Sequence, residues 1–455
     1  MTPLVSVYIT NYNYGDFIKE AIESVLIQSM TDFELIIIDD GSTDNSKEVI
    51  EQYADSKPVN IIYQQNKGLN ITNNVAIRTA KGKYLIRLDA DDYLHQDALK
   101  VMSERMETEE QLGLVFPDYY YIDSEGELLG EEKRHDFEND VKLLDQPAHG
   151  ACTMIRLDFL KEVGGYNESY NCQDGYELWV KFTRHYQIAN VSEPLFYYRQ
   201  HGSNLTGDET KILGTRAQIN ADFIEQQAID TSTLAIIPIR GGEQDLAFKT
   251  LAGQNLLELK IKQVLKSKSI RHLVVSSPDL EVKTLLNKYE SESRIEFHHR
   301  KKAEARYNQS LNPTISEIVN EQFEKNLSFE AIAVLTLEFP FVEAYKIDDV
   351  INTMLIFGSD SIIGVRADNS VFYQHHGDGL HPILQRDMYT KLEREALFKQ
   401  VGGTNAVTKD AFLKENEMIT GKVGHVMMDQ RSSIGLFTKL DWKIAESQFI
   451  SENNS

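Results

Sequence analysis

VSVYITNYN (residues 5–13), FELIIIDDGSTDNS (33–46) and YLIRLDADDYL (84–94) decide the fold, because each runs apolar and then turns abruptly polar. The first parts read as strands. Phe33 to Ile38 is apolar apart from Glu34, as a strand covered on both faces should be. Between the strands, Phe17, Ile18, Ala21, Ile22, Val25 and Leu26 fall on one helical face, and Asn45 to Tyr53 and Thr72 to Thr79 also read as helices. Asn60 to Tyr63 adds a further strand. A β-then-α rhythm implies a parallel sheet with helices on its faces, and such sheets bind ligands at the carboxyl ends of their strands. The polar turns Thr10 to Asn13, Asp39 to Asp44 and Asp89 to Asp92 therefore belong to one edge.

A second α/β series begins near Thr233, with strands at 234–239, 273–275 and 331–335 and helices at 256–265 and 280–289. The expected organisation is a domain over 1–215, a polar linker over 216–231 and a second domain over 232–455. The chain has 455 residues, 41% apolar and 26% charged, with a formal net charge of −23. That balance argues against nucleic acid as a partner, because phosphate backbones are held by an excess of Lys and Arg. No apolar run approaches the roughly 20 residues needed to span a bilayer, and the start lacks a secretory pattern. A cytoplasmic location is expected, with peripheral attachment at the inner face of the membrane left open. Cys152 and Cys172, the only cysteines, read as small buried side chains in a reducing compartment.

The acidic turns suit a nucleoside diphosphate sugar. Asp40 can accept the imide proton of a uracil and Tyr12 can stack on the base. Asp91, aided by Asp89 or Asp92, can hold a hard divalent cation through oxygen. The alternative is a solvated turn capping the following helix.

These residues, with NKGLNITNNVAIRTAKGKYLIRLDADDYL (66–94), resemble the family 2 glycosyltransferases of GT-A fold over about Leu4 to Thr206. The resemblance implies that Thr10 and Tyr12 line the nucleobase pocket, Asp40 binds the base, and Asp89 and Asp91 form the DxD motif, with Asp91 on the metal, Mn2+ or Mg2+. Asn171 to Trp179 resembles the family's acidic motif before a Leu-Trp helix, so Asp174 maps onto the catalytic base and Glu177 onto a supporting carboxylate. An N-cap role for Asp174 is the plainer alternative. Tyr198 to Asn204 resembles the family's closing loop, where His201 reaches the metal or the phosphates. Where the family often reads Ala-Arg-Asn, this chain has Thr72-Asn73-Asn74; Arg78 is the candidate substitute for that arginine.

From Thr233 to Phe449 the chain resembles the cytidylyltransferases that form CMP-sugars, on Ile236 to Gly242, Leu335 to Pro340, Val401 to Val407 and Gly424 to Asp429. Arg240 before Gly241-Gly242 is its candidate phosphate contact. Glu243-Gln244-Asp245 stands where the family is basic, and Ser433 to Thr438 lacks the family's metal carboxylates. The expectation is two Rossmann-like α/β domains, the second without chemistry and dimerising. The first domain is expected to be an inverting, metal-dependent transferase moving sugar from a UDP-sugar to a glycan or glycoconjugate hydroxyl. The alternatives are a bifunctional enzyme that also forms a CMP-sugar, and a scaffold. The pairs His298-His299 and His375-His376 match no standard metal spacing and are expected in solvated loops.

Overall fold

The computed structural model describes residues 2–134, 136–137, 139, 141–148, 150–201, 208–242, 245–306, 308–368, 370–383 and 397–453. They form two compact units, the first running to Arg216 and taking in residues 372–383, the second made of residues 217–371 and those from 397 on.

The first unit carries β1 (Val5–Asn11), α1 (Ile18–Leu26), β2 (Phe33–Asp39), α2 (Ser46–Glu51), β3 (Val59–Tyr63), α3 (Leu69–Thr79), β4 (Tyr84–Asp89), β5 (Tyr93–Leu94) and α4 (Ala98–Glu107). It continues through β6 (Leu112–Ile122), β7 (Leu128–Glu132), β8 (Met154–Arg156), α5 (Leu157–Glu162), α6 (Asp174–Thr183), β9 (Gln187–Arg199) and into α7 (Glu209–Gln226). The strands join in the order β3-β2-β1-β4-β8-β6-β9-β5, with β7 on β6. β1 to β4 are mutually parallel as expected, but β8 and β5 pair antiparallel with their neighbours, so the sheet is mixed. Ile37 and Leu35 bury with Val7, Ile9, Ile86 and α1, while Ile36 and Ile38 bury on the opposite face. That two-sided burial is why β2 reads as an almost unbroken apolar run.

The polar segment expected as a linker is helical over most of its length. Residues 217–226 are the second half of α7, and within the second unit Asn220 Nδ2 donates to Asp349 Oδ1 at 2.8 Å. Cys152 is buried, whereas Cys172 is only half-buried, with Sγ 3.2 Å from Thr215 Oγ1.

The second unit comprises β10 (Thr233–Pro238), β11 (Thr250–Leu251), β12 (Gln254–Asn255), α8 (Leu256–Lys266), β13 (Ile270–Ser277), α9 (Leu280–Leu286), β14 (Ile295–His299), α10 (Asn312–Glu324), β15 (Ala331–Leu335), α11 (Ala344–Phe357) and β16 (Ser361–Asp368). The hairpin β17 (Tyr373–His376) and β18 (Gly379–Pro382) groups with the first unit, before β19 (Leu397–Thr408), α12 (Lys409–Glu415), β20 (Val423–Met427) and α13 (Lys439–Asn453). Its sheet runs β14-β13-β10-β15-β19-β16-β20, parallel except where β19 opposes β15 and β16. The histidine pairs depart from expectation: His298-His299 ends β14 with His298 buried, and His375-His376 ends β17. Among the described residues, no helix is long and apolar enough to cross a membrane.

Ile37 is fully buried on β2, between β3 and β1. Ile37→Ala should cost about 2–5 kcal/mol in urea denaturation of the first unit, the range for truncating a core isoleucine.

Candidate active site at the carboxyl edge of the first sheet

Register brings the three polar turns together. β1 pairs in parallel with both β2 and β4, placing Thr10 opposite Ile38 and Asp89, and Asn11 opposite Asp39. Thr10 Oγ1 donates to Asp89 Oδ1 at 3.0 Å. Asn11 Nδ2 donates to Asp39 Oδ2 at 2.7 Å and to Ser42 Oγ at 3.0 Å, while its Oδ1 is buried without a partner. Tyr12 stands 46% exposed beside them, its ring free to cover a flat ligand. Gly41 turns the chain away at φ +81, where a Cβ would lie 2.7 Å from the Asn66 nitrogen.

Asp40 is buried and holds a loop. Its Oδ1 accepts from Gln64 Nε2 at 2.7 Å and from the Lys67 amide at 2.9 Å, and its Oδ2 accepts from the Gly68 amide at 2.8 Å. The residue expected to meet a base thus first organises residues 64–68, immediately before α3.

The acidic turn after β4 is crowded. Asp91 and Asp92 are both buried, and burial, followed by their neighbouring carboxylates, pushes both up from the ordinary aspartate range. Asp92 Oδ1 accepts from the Arg199 amide at 2.8 Å, but its Oδ2 is buried without a hydrogen-bond partner. His201 Nε2 lies 2.9 Å from Asp91 Oδ2, its ring stacked on Phe17 with centroids 5.7 Å apart. Arg199 anchors the turn from beneath, with Nε donating to the Asp91 carbonyl at 2.8 Å and an ion pair to Glu20. A carboxylate, an imidazole and surplus buried negative charge form a donor set that fits a hard or borderline divalent cation. The segment beyond His201, Gly202 to Asn204, expected to close the site, lies outside the described residues.

Asp174 is the first residue of α6, after Gln173 at φ +64. The N-cap position is taken by Gln173, so the plain N-cap role for Asp174 falls away. Asp174 instead pairs with Arg87, a buried guanidinium in the middle of β4. Arg87 Nε also lies 3.0 Å from Asp89 Oδ1. Burial works against the charge on Arg87, but Asp174 and Asp89 more than offset it and raise its pKa. Asn73, at the position where an arginine was expected, links Tyr8 (3.1 Å) to Asp174 (3.5 Å). Its neighbours Asn70 and Asn74 hold the backbone at Asn167, Tyr170 and Tyr166, which leads to Asp174.

The two secondary candidates of this unit serve other ends. Glu177 is buried, accepts from the Asn167 amide at 3.0 Å and pairs with Lys181 at 2.6 Å, which suits a supporting role. Arg78 is not brought to the site. It occupies the last turn of α3, nine residues or about 13 Å from the helix start, with its exposed side chain 4.0 Å from Glu168. Arg87, Asn11 and Gln64 were missed from sequence; a lone arginine inside YLIRLD was the one visible signal.

A model of glycosyl transferase family 2 matches residues 6–164. An uncharacterized glycosyltransferase of Methanocaldococcus jannaschii is 30% identical over 206 residues, covering 43% of this chain and 71% of that protein. The chain belongs to glycosyl transferase family 2. Thr10, Tyr12, Asp40, Asp89 and Asp91 lie within the family 2 match, and Asp174 and His201 lie beyond it. Chondroitin synthase of Escherichia coli is 31% identical over 203 residues, 44% of this chain but only 30% of that synthase, so the chain spans under a third of this relative. Among solved structures, Staphylococcus aureus TarS 1–349 in complex with UDP-GlcNAc is similar at 18% identity and a TM-score of 0.42, covering 48% of this chain and 66% of that one.

Outside the family 2 domain, Arg240 follows β10 and its guanidinium donates to the Arg306 carbonyl at 2.7 Å. The Gly241 amide donates to Asp245 Oδ2 at 2.9 Å and the Gly242 amide to Asp279 Oδ2 at 2.7 Å. The turn's anion-binding amides are thus met by the chain's own carboxylates. Glu243 and Gln244 lie outside the described residues.

Asp40→Ala removes three acceptor contacts from one loop. The amides of Lys67 and Gly68 should then lose protection by at least tenfold in native-state hydrogen exchange, with the β1 amides unchanged.

Proposed function

We propose that the chain transfers a sugar, with inversion, from a nucleoside diphosphate sugar to an acceptor hydroxyl of a growing polysaccharide or glycoconjugate. A UDP-sugar is the favoured donor. The observation that carries this reading is the pair of ion contacts from Arg87, which ties the DxD residue Asp89 to Asp174 within one site.

In this reading Tyr12 covers the base, and the open Asn11 Oδ1 together with the Asp40 loop offers polar contacts around it. Asp91 and His201 would hold Mn2+ or Mg2+, which offsets charge on the leaving diphosphate when bound. Further ligands would come from the donor's phosphates and water, since this pair supplies only two. Asp174 accepts the proton of the acceptor hydroxyl as its oxygen bonds to the anomeric carbon. The bond from that carbon to the diphosphate breaks, and its electron pair leaves with the nucleoside diphosphate. Arg87 orients Asp174, and the stapled loop from Tyr166 to Tyr170 fixes the approach of α6.

For the second unit we infer a cytidylyltransferase-like fold that no longer forms CMP-sugars and serves assembly, including dimerisation. Support comes from Asp245 and Asp279, whose carboxylates sit on the amides a triphosphate would need. Like charges at about 4 Å near a surface repel by roughly 4 kcal/mol, so a triphosphate would have to displace both. Calorimetry of the full chain with CTP and Mg2+ should show no saturable binding; micromolar binding would instead favour the bifunctional enzyme.

UDP should bind with Mn2+ or Mg2+ present and weaken strongly in EDTA, and Asp91→Ala should abolish turnover in a nucleotide-release screen of donor sugars. Full activity of Asp91→Ala would refute the metal assignment. Asp174→Asn should lower kcat by about 10²–10⁴, the usual worth of a general base, while leaving UDP affinity within threefold. Arg87→Lys should retain more activity than Arg87→Met, because it keeps a positive charge between the two carboxylates.

A further inference from the structure

A second cluster of metal-ligating side chains lies far along the chain from the family 2 residues. His298 stands on β14, an edge strand of the second sheet, with its side chain 5% exposed. Its Nδ1 is 3.0 Å from Ser276 Oγ on β13, the residue paired with it in the parallel ladder. That contact turns Nε2 toward α10. There it lies 3.8 Å from Glu317 Oε2 and 3.9 Å from Glu321 Oε1. Among the described residues this is the one group of three such donors gathered within 4.8 Å of one another.

The chemistry of the cluster points to a cation. Glu317 and Glu321 are one helical turn apart on the same face, an arrangement in which like charges repel. Lys301 Nζ approaches the other oxygen of Glu317 at 3.4 Å, whereas Glu321 Oε1 faces the imidazole. A buried imidazole oriented by an outer hydroxyl, with two carboxylates in front of it, is a ligand set for a borderline divalent ion. Zinc bonds nitrogen and oxygen at about 2.0–2.2 Å, which sets tetrahedral ligands roughly 3.4 Å apart. The two separations from the imidazole need to close by about half an ångström, and the glutamate oxygens, within 4.8 Å of the other donors, can close by rotation of two partly exposed side chains.

We propose that His298, Glu317 and Glu321 form a Zn2+ site that clamps α10 to the β14 edge, with water completing the coordination. The site is independent of Asp91 and His201 and of the sugar-transfer reading.

The test uses the full chain stripped with EDTA and titrated with ZnCl2 by calorimetry, with thermal unfolding measured in parallel. One Zn2+ per chain should bind at this site in the wild type and in Asp91→Asn, and should raise the Tm of both. Glu321→Gln should weaken that binding at least tenfold, and Glu317→Gln/Glu321→Gln should remove both the binding and the Tm shift. Ser276→Ala should weaken it about 10–100-fold, the effect expected of an outer-shell partner. Circular dichroism of the metal-free variants checks their folding, and the single Glu321→Gln serves if the double variant does not fold. Unchanged affinity in Glu321→Gln overturns the proposal. So does binding that disappears only in Asp91→Asn, or wild-type binding seen only at millimolar Zn2+, which would leave His298 as an imidazole hydrogen-bonded to Ser276 and facing two carboxylates.

Discussion

A guanidinium buried under the carboxyl edge of the first sheet binds two carboxylates that lie 85 residues apart in the chain, Asp89 at the end of β4 and Asp174 at the start of α6. Breaking a buried ion pair by removing one partner typically costs about 3–5 kcal/mol, because the remaining charge is left without compensation. Arg87 thereby makes the position of α6 a condition of the fold around the acidic turn. The asparagines of α3 support the same arrangement from the other side, holding the backbone between Tyr166 and Tyr170. Asn73 completes it, standing between Tyr8 and Asp174.

The edge also shows how a buried acidic site is kept from collapsing. Asp39 and Asp40 are satisfied by amides and side-chain N–H groups of their own loop, of β1 and of the segment before α3. Asp91 and Asp92 are less fully met, and their pKa values rise with burial and then with repulsion from neighbouring carboxylates, Asp89 acting on both. Inward-facing negative charge that the protein leaves incompletely balanced is what a cation-dependent anion site requires. The turn after β10 is the opposite case. There Asp245 and Asp279 satisfy the glycine amides internally, and the turn presents carboxylates where an anion site would present open N–H groups.

Much of this was legible in the chain. The parallel core β1 to β4 follows from the apolar runs and the β-then-α rhythm, and the gathering of Thr10, Asp40 and Asp89 at one edge follows from the parallel pairing. The antiparallel β5, β7 and β8 were not legible, since β5 and β8 are two and three residues long and carry almost no periodicity. Arg78 was a misleading candidate. It shares α3 with the asparagines at the site, but a helix running back across the sheet takes its last turn to the other edge.

The sequence by itself determined the local chemistry: which strands are covered on both faces, which turns are acidic, and which family the first part belongs to. These are properties of short segments, written in residue type and period. Only the tertiary structure decided the partnerships: Arg87 with Asp174, His201 with Asp91, Asp279 with Gly242, and His298 with two glutamates of α10. The reason is physical. A charge buried in a strand or an imidazole at a sheet edge takes its meaning from whatever meets it at about 3–4 Å, and packing, not spacing along the chain, sets that distance.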